Sequence, residues 1–158
     1  MPAGPAVPGS ASSGDNEGVP PASPTALPTA RPDPPDRCPC LSGNGYSVCC
    51  GRLHHGEARA GTAQILMRSR YSAFAVGDAD YLLRTWHPRT RPHSLDLDPD
   101  VRWLRLDIER TERGGPLDTD GIVEFTAYAR HDGRRTQQHE VSRFEKVAGA
   151  WLYVDGVG

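Results

Sequence analysis

All four cysteines of this 158-residue chain fall within thirteen positions, in the run CPCLSGNGYSVCC from Cys38 to Cys50. Clustered thiols crosslink, ligate or react, and each outcome leaves its own spacing. Here the spacing is C-x-C, eight residues, then C-C. Thiols one apart or adjacent are poorly placed to bridge each other, and a reducing cytosol keeps them free, although pairing across the run stays geometrically open. Iron–sulfur clusters also take four thiolates, at other spacings, and thioredoxin-like redox pairs use C-x-x-C. Zinc fits better, because a d-ten cation accepts four thiolates tetrahedrally and a pair of close ligands at each end of a short loop can wrap it. Pro39 stiffens the first pair, and Ser42-Gly43-Asn44-Gly45 tolerates the positive φ that a tight reversal between the pairs requires. The expected cofactor is one structural zinc ion on Cys38, Cys40, Cys49 and Cys50, with His54 or His55 as a possible substitute for Cys50. Arg37 and Arg52 on the flanks are placed to offset the negative charge of a four-thiolate centre.

Composition divides the chain around that run. Ten of the fifteen prolines lie between Met1 and Arg37, where Val7, Val19 and Leu27 are the only aliphatics larger than alanine. Such a segment buries too little apolar surface to offset its ordering entropy, so residues 1–37 read as a disordered tail, 38–55 as a zinc knuckle and 56–158 as one compact domain. The tail lacks the basic start and unbroken apolar run of a secretory signal and is too poor in arginine for a mitochondrial presequence. No stretch is long enough to span a membrane. The expected location is the cytoplasm, with no membrane partner. A formal net charge of −2, with both signs interleaved, gives no footprint for nucleic acid, which is not an expected partner.

Behind the cysteines the periodicity is helical. Thr62 is placed as N-cap and Gly77 as C-terminal glycine of a helix that gathers Ala63, Leu66, Met67, Tyr71 and Phe74 on one face. Asp78 can cap a second helix through ADYLLRTW, which Pro88 must end near His87. After the link from Pro88 to Pro99 the period becomes two, with Leu104, Leu106 and Ile108 alternating against Trp103, Arg105, Asp107 and Glu109. A second strand from Gly121 to Arg130 carries Val123, Phe125, Ala127 and Ala129 on one face, and Asp132-Gly133 signals a hairpin. A third strand runs from Arg135 to Val147, and Gly149 turns it into a fourth from Trp151 to Val154. Helices first and antiparallel strands afterwards indicate an α+β fold.

CPCLSGNGYSVCC resembles the SEC-C motif, a short zinc knuckle usually written CPCGSGKKYKKCC, in which Leu41 stands where the motif has its first glycine. That departure weakens the expectation of a positive φ at Leu41 and leaves all four ligand positions intact. In other proteins the motif resembles a docking accessory, which implies structure or partner binding here. The helix and strand order is similar to the cone of nuclear transport factor two-like proteins, a four-stranded curved sheet with helices on one face that often encloses a pocket. The succession CPC…CC, LMRSRYSAF, DADYLLRTWHP, VEF, HEVSRF and WLYVDG resembles the YchJ-like bacterial proteins, in which a SEC-C motif precedes such a cone. The resemblance covers nearly everything after Arg37 and implies the architecture and the zinc site. It supplies no reaction.

Candidate pocket residues are Arg70, Trp86, His87 and Glu140. Arg70 lies inside the apolar helix face, where a guanidinium needs company. The favoured reading is an ion pair with Glu140 or Asp80, or a snorkelling side chain; the functional one is an anion-binding arginine inside the cone. Trp86-His87-Pro88 closes the second helix, so His87 reads first as a capping or packing group and second as a proton carrier. Glu140 shares a strand face with Gln138, Ser142 and Phe144, where desolvation would raise its pKa toward general-base use. Trp103, Trp151 and Tyr153 read as core or sheet cover before ligand stacking. No complete catalytic constellation is present, and no residue is assigned a catalytic role. The expected function is a non-catalytic, zinc-stabilised module that docks onto a protein partner. The alternative is an enzyme or carrier holding a small ligand in the cone.

Overall fold

The computed structural model describes residues 35–157, so the tail expected over residues 1–37 lies, up to residue 34, outside the described residues. A 3-10 turn at Tyr46–Val48 and a short helix α1 (Cys50–His54) follow the first cysteine pair. Helices α2 (Ala63–Val76) and α3 (Ala79–Arg84) come next, and strands β1 (Arg102–Arg113), β2 (Asp120–His131), β3 (Arg134–Val147) and β4 (Ala150–Gly156) complete the chain. The strands form one antiparallel meander in the order β1-β2-β3-β4. This is the α+β architecture that the order of sequence patterns implies.

Local chemistry fixes the helix ends. The Thr62 side chain accepts from the Ile65 amide at 3.1 Å, and the Asp78 carboxylate accepts from the Tyr81 amide at 3.0 Å, each satisfying an otherwise orphaned donor. Gly77 closes α2 in the left-handed conformation. Helix α3 stops at Arg84, short of His87, where the Thr85 hydroxyl turns back onto the Tyr81 carbonyl at 2.7 Å. Helix α2 is buried on two sides. Leu66, Met67, Tyr71 and Phe74 belong to the main core with Phe125, Phe144, Trp151 and Tyr153, while the fully buried Ser69 and Ser72 make contacts toward the cysteine knuckle.

Asp132 and Gly133 both take positive φ and close the β2–β3 hairpin, and Ala148 and Gly149 do the same for β3–β4. The β1 alternation departs from simple period two. Trp103 pairs with Ala129 and Arg105 with Tyr128, so Leu104 is an extra, bulged residue. Trp103, not Leu104, therefore shares the core face with Leu106 and Ile108, and its ring packs 5.7 Å from those of Tyr71 and Phe74. A second irregularity leaves Glu109 unpaired between Ile108 and Arg110. Among the described residues, no helix is long and apolar enough to cross a membrane.

Candidate functional site

The knuckle is held by short-range backbone bonds. The Cys38 amide donates to Asn44 O and the Leu41 amide to Cys38 O, both at 3.0 Å, while the Cys49 amide reaches Tyr46 O at 3.0 Å. The pairing extends into Asp36 and Arg37, since Arg37 bridges Gly45 and Asp36 O accepts from the Tyr46 amide. The four sulfur atoms lie within 4.8 Å of one another, and those of Cys40 and Cys49 are 3.7 Å apart. A tetrahedron of thiolates about 2.3 Å from a zinc ion has edges of about 3.8 Å, so the donor set fits. Cys38, Cys40 and Cys50 are buried and Cys49 is half-buried. Hydrogen bonds from Cys40 and Cys50 draw the Cys38 thiol far below its ordinary pKa. The same contacts with Cys38 push Cys40 and Cys50 up. Side-chain hydroxyls support the sulfurs: Ser42 Oγ lies 3.2 Å from Cys49 Sγ and Ser72 Oγ 3.6 Å from Cys38 Sγ.

Leu41 has φ 64°. The glycine-like conformation persists although the side chain is leucine, contrary to what the substitution suggested. Neither histidine joins the sulfurs. His54 is buried, with Nδ1 2.6 Å from the Tyr46 hydroxyl and Nε2 2.9 Å from the Ser69 carbonyl. A carbonyl only accepts, so Nε2 carries the proton and Nδ1 takes that of Tyr46, leaving no lone pair for a metal. Burial holds the His54 pKa below its usual value, which keeps this tautomer neutral. His55 is exposed and outside the cysteine group. His54 thus fastens α1 to α2, helped by Arg84, whose Nη2 donates to the His54 carbonyl at 2.6 Å. Arg68, which the sequence reading passed over, donates to the Cys40 carbonyl at 3.3 Å. Its signal was the i, i+4 relation to Ser72 on the side of α2 away from the apolar stripe.

Three of the four pocket candidates, Arg70, Trp86 and Glu140, meet around Tyr153, and His87 lies apart. Arg70 is buried, and its Nη1 donates to the Leu82 carbonyl at 2.8 Å and the Thr85 hydroxyl at 2.7 Å. It pairs with neither Glu140 nor Asp80; instead its guanidinium carbon sits 5.1 Å from the Trp86 ring centroid and 4.6 Å from that of Tyr153. Burial lowers its pKa to about 10, so it stays protonated at neutral pH. Glu140 is buried on β3, with one carboxylate oxygen 2.7 Å from the Ser142 hydroxyl and 2.9 Å from that of Tyr153. Gly156 packs onto this carboxylate so closely that a Cβ there would lie 2.5 Å from it. Trp86 stands edge-on to Tyr153 at 5.1 Å. Tyr153 therefore touches Arg70, Trp86 and Glu140 at once. His87 faces elsewhere: its Nε2 lies 3.3 Å from Glu145 and its Nδ1 accepts from the Arg89 amide at 3.0 Å. It also caps no helix, since α3 has already ended.

A second group, Glu109, Glu124 and His139, gathers on the outer sheet face. Arg110 already pairs with Glu124 at 2.9 Å and Thr126 with Glu109 at 2.6 Å, which is ordinary for a solvated sheet surface.

Comparison with known proteins agrees with this geometry. The family model described as the YchJ middle NTF2-like domain matches residues 62–156. A UPF0225 protein of Streptomyces coelicolor is 56% identical over 125 residues, covering 79% of this chain and 96% of its own. A UPF0225 protein of Chromobacterium violaceum is 49% identical over 124 residues, 76% of this chain and 91% of the relative. Among solved structures, the SEC-C motif containing protein RPA3114 of Rhodopseudomonas palustris superposes with a TM-score of 0.67 at 34% identity, covering 77% of this chain and 97% of that one. A SEC-C motif containing protein of Psychrobacter arcticus gives 0.62 at 27% identity, over 75% and 80%. Cone, cysteine knuckle and relatives together make this chain a member of the YchJ-like UPF0225 family, a family of uncharacterised function.

Proposed function

We propose that Cys38, Cys40, Cys49 and Cys50 hold one zinc ion, and that the loaded knuckle is a structural clamp on the open side of α2. The carrying observation is the convergence of four sulfurs within 4.8 Å, three of them on buried cysteines. The likeness to SEC-C motif proteins supports the same reading. Bound zinc would supply folding free energy and neutralise thiolates that otherwise share protons. Four thiolates close its coordination shell and leave no position for a substrate, so the centre is structural and not a Lewis acid in a reaction. The clamp acts through His54 and Ser72, which join the knuckle to α2.

Metal analysis after purification under reducing conditions is expected to find one zinc per chain. Removing it with a chelator should speed amide exchange through Tyr46–His54 and leave the β2–β3 amides protected. Cys40→Ser should do likewise. Metal-free protein from a reducing preparation, or exchange unchanged by chelation, would refute the proposal.

A further inference from the structure

Inside the cone, two buried donors lack an acceptor among the described residues: Nη2 of Arg70 and Nε1 of Trp86. The residues are 1% and 5% exposed, so bulk water does not serve either group. Buried donors are almost always paired, and two orphans on neighbouring residues call for a common explanation. The charge balance is also incomplete. Among the described residues, the partners of the Arg70 guanidinium are neutral: the Leu82 carbonyl, the Thr85 hydroxyl and the faces of Trp86 and Tyr153. Among the described residues no carboxylate lies within ion-pair distance of it, although a buried arginine ordinarily has one. What the site lacks is an acceptor with a single negative charge.

We infer that this corner of the cone binds a small monocarboxylate, with Arg70 Nη2 and Trp86 Nε1 as its two hydrogen-bond donors. Two donors and one positive charge match the two oxygens and one charge of a carboxylate. A phosphate dianion would leave a charge uncompensated and would lie near Glu140, which is tied to the same Tyr153 through its hydroxyl. The surrounding rings of Trp86, Tyr153 and Phe144 pack in edge contact, so a ligand admitted there would have to be short and apolar beyond its carboxylate. Entry requires opening of the segment that carries Trp86. That segment is fastened to β4 by two backbone bonds, from Tyr153 N to Thr85 O at 2.8 Å and from His87 N to Tyr153 O at 2.7 Å. Those two bonds, the Thr90 hydroxyl's bond to the Val154 carbonyl at 2.6 Å and the core packing of Trp86 are what such a local opening would have to release. The inference is independent of the metal at the knuckle.

The test uses the full chain with its metal content held constant, titrated with acetate, propionate, butyrate, benzoate and, as comparators, inorganic phosphate and chloride. Thermal stability and calorimetry should both show saturable binding of at least one monocarboxylate and none of phosphate or chloride. Trp86→Phe keeps the ring and deletes only the Nε1 donor, and should weaken that binding about ten-fold. Arg70→Met should abolish it without lowering the melting temperature, because it also removes an unpaired charge. The inference is overturned if no monocarboxylate binds saturably, if Trp86→Phe leaves affinity unchanged, or if a crystal structure shows water alone on both donors in the presence of the best carboxylate. Trp86→Phe decides the matter should Arg70→Met fail to fold.

Discussion

Replacing Leu41 with glycine should strengthen the knuckle. Leu41 sits at φ 64°, between the first cysteine pair and the Ser42–Gly45 reversal. A side chain bearing Cβ loses about 1–2 kcal/mol in that region through contact with the following carbonyl. The leucine is 58% exposed, so little burial is forfeited on its removal. Glycine adds chain entropy to the unfolded state, which opposes the gain by about 0.5–1 kcal/mol. The balance is a net stabilisation of about 0.5–1 kcal/mol, confined to the loop whose closure brings the two ligand pairs together. Since metal binding is linked to ordering of that loop, the gain should appear as a two- to five-fold tighter metal affinity, with the factor following from about 1.4 kcal/mol per decade. Competition against a chromophoric chelator measures it directly. Leu41→Ala is the control, because alanine keeps the Cβ and the strain while removing the leucine. Equal affinities for the glycine and alanine variants, or a weaker glycine variant, would refute the reasoning.

Three further outcomes follow from the same geometry. Gly156→Ala drives a methyl to 2.5 Å from the Glu140 carboxylate; relief requires moving a buried group, and unfolding in urea should show a loss of about 1–3 kcal/mol. His54→Phe keeps the ring between Tyr46 and Tyr81 but removes the hydrogen bonds to Tyr46 and Ser69, and chemical denaturation should report a loss of about 1–3 kcal/mol at pH 7.5. The pH dependence has a definite sign. Burial lowers the His54 pKa in the folded chain, so the unfolded chain binds the proton more readily; stability is complete above about pH 6.5 and declines as pH falls below it. With zinc in excess, wild-type stability should drop more steeply than that of His54→Phe between pH 7 and 5, and parallel curves would exclude His54 as the titrating group.

The helices were legible because their signals are local. Thr62, Gly77 and Asp78 each act within one turn of their own position, and the structure uses all three as caps. The cysteine cluster was legible for the same reason, since its two pairs of thiols are joined by a loop of eight residues. What escaped depended on contacts between distant segments. The bulge at Leu104 is set by pairing with β2, twenty-odd residues away, and no alternation count along β1 reveals it. His54 looked like a spare ligand because proximity in sequence to Cys50 was visible and its engagement with Ser69 was not. Arg70 was recognisable as a guanidinium on an apolar face. Its neutral surroundings were not, because they arise from α3 and β4 closing over it. His87 looked like a helix-end residue, yet Thr85 ends α3 earlier by bonding its own helix.

The two edges of the sheet meet solvent on different terms. Strand β4 is shielded along part of its length by Thr85–His87, which pairs with Tyr153 as a fragment of a fifth strand. Among the described residues strand β1 has no such cover, and its outer half carries Glu109, Arg110, Glu112 and Arg113, with bulges at Leu104 and Glu109. Unpaired edges recruit other strands, and charge together with irregular register opposes that recruitment. A second chain approaching β1 would have to bury these charges and match two interruptions in spacing. The bulges that complicate the core pattern would therefore also oppose edge-to-edge pairing of copies, so mutations that regularise β1 or neutralise its charges would be expected to show first as aggregation and only later as lost stability.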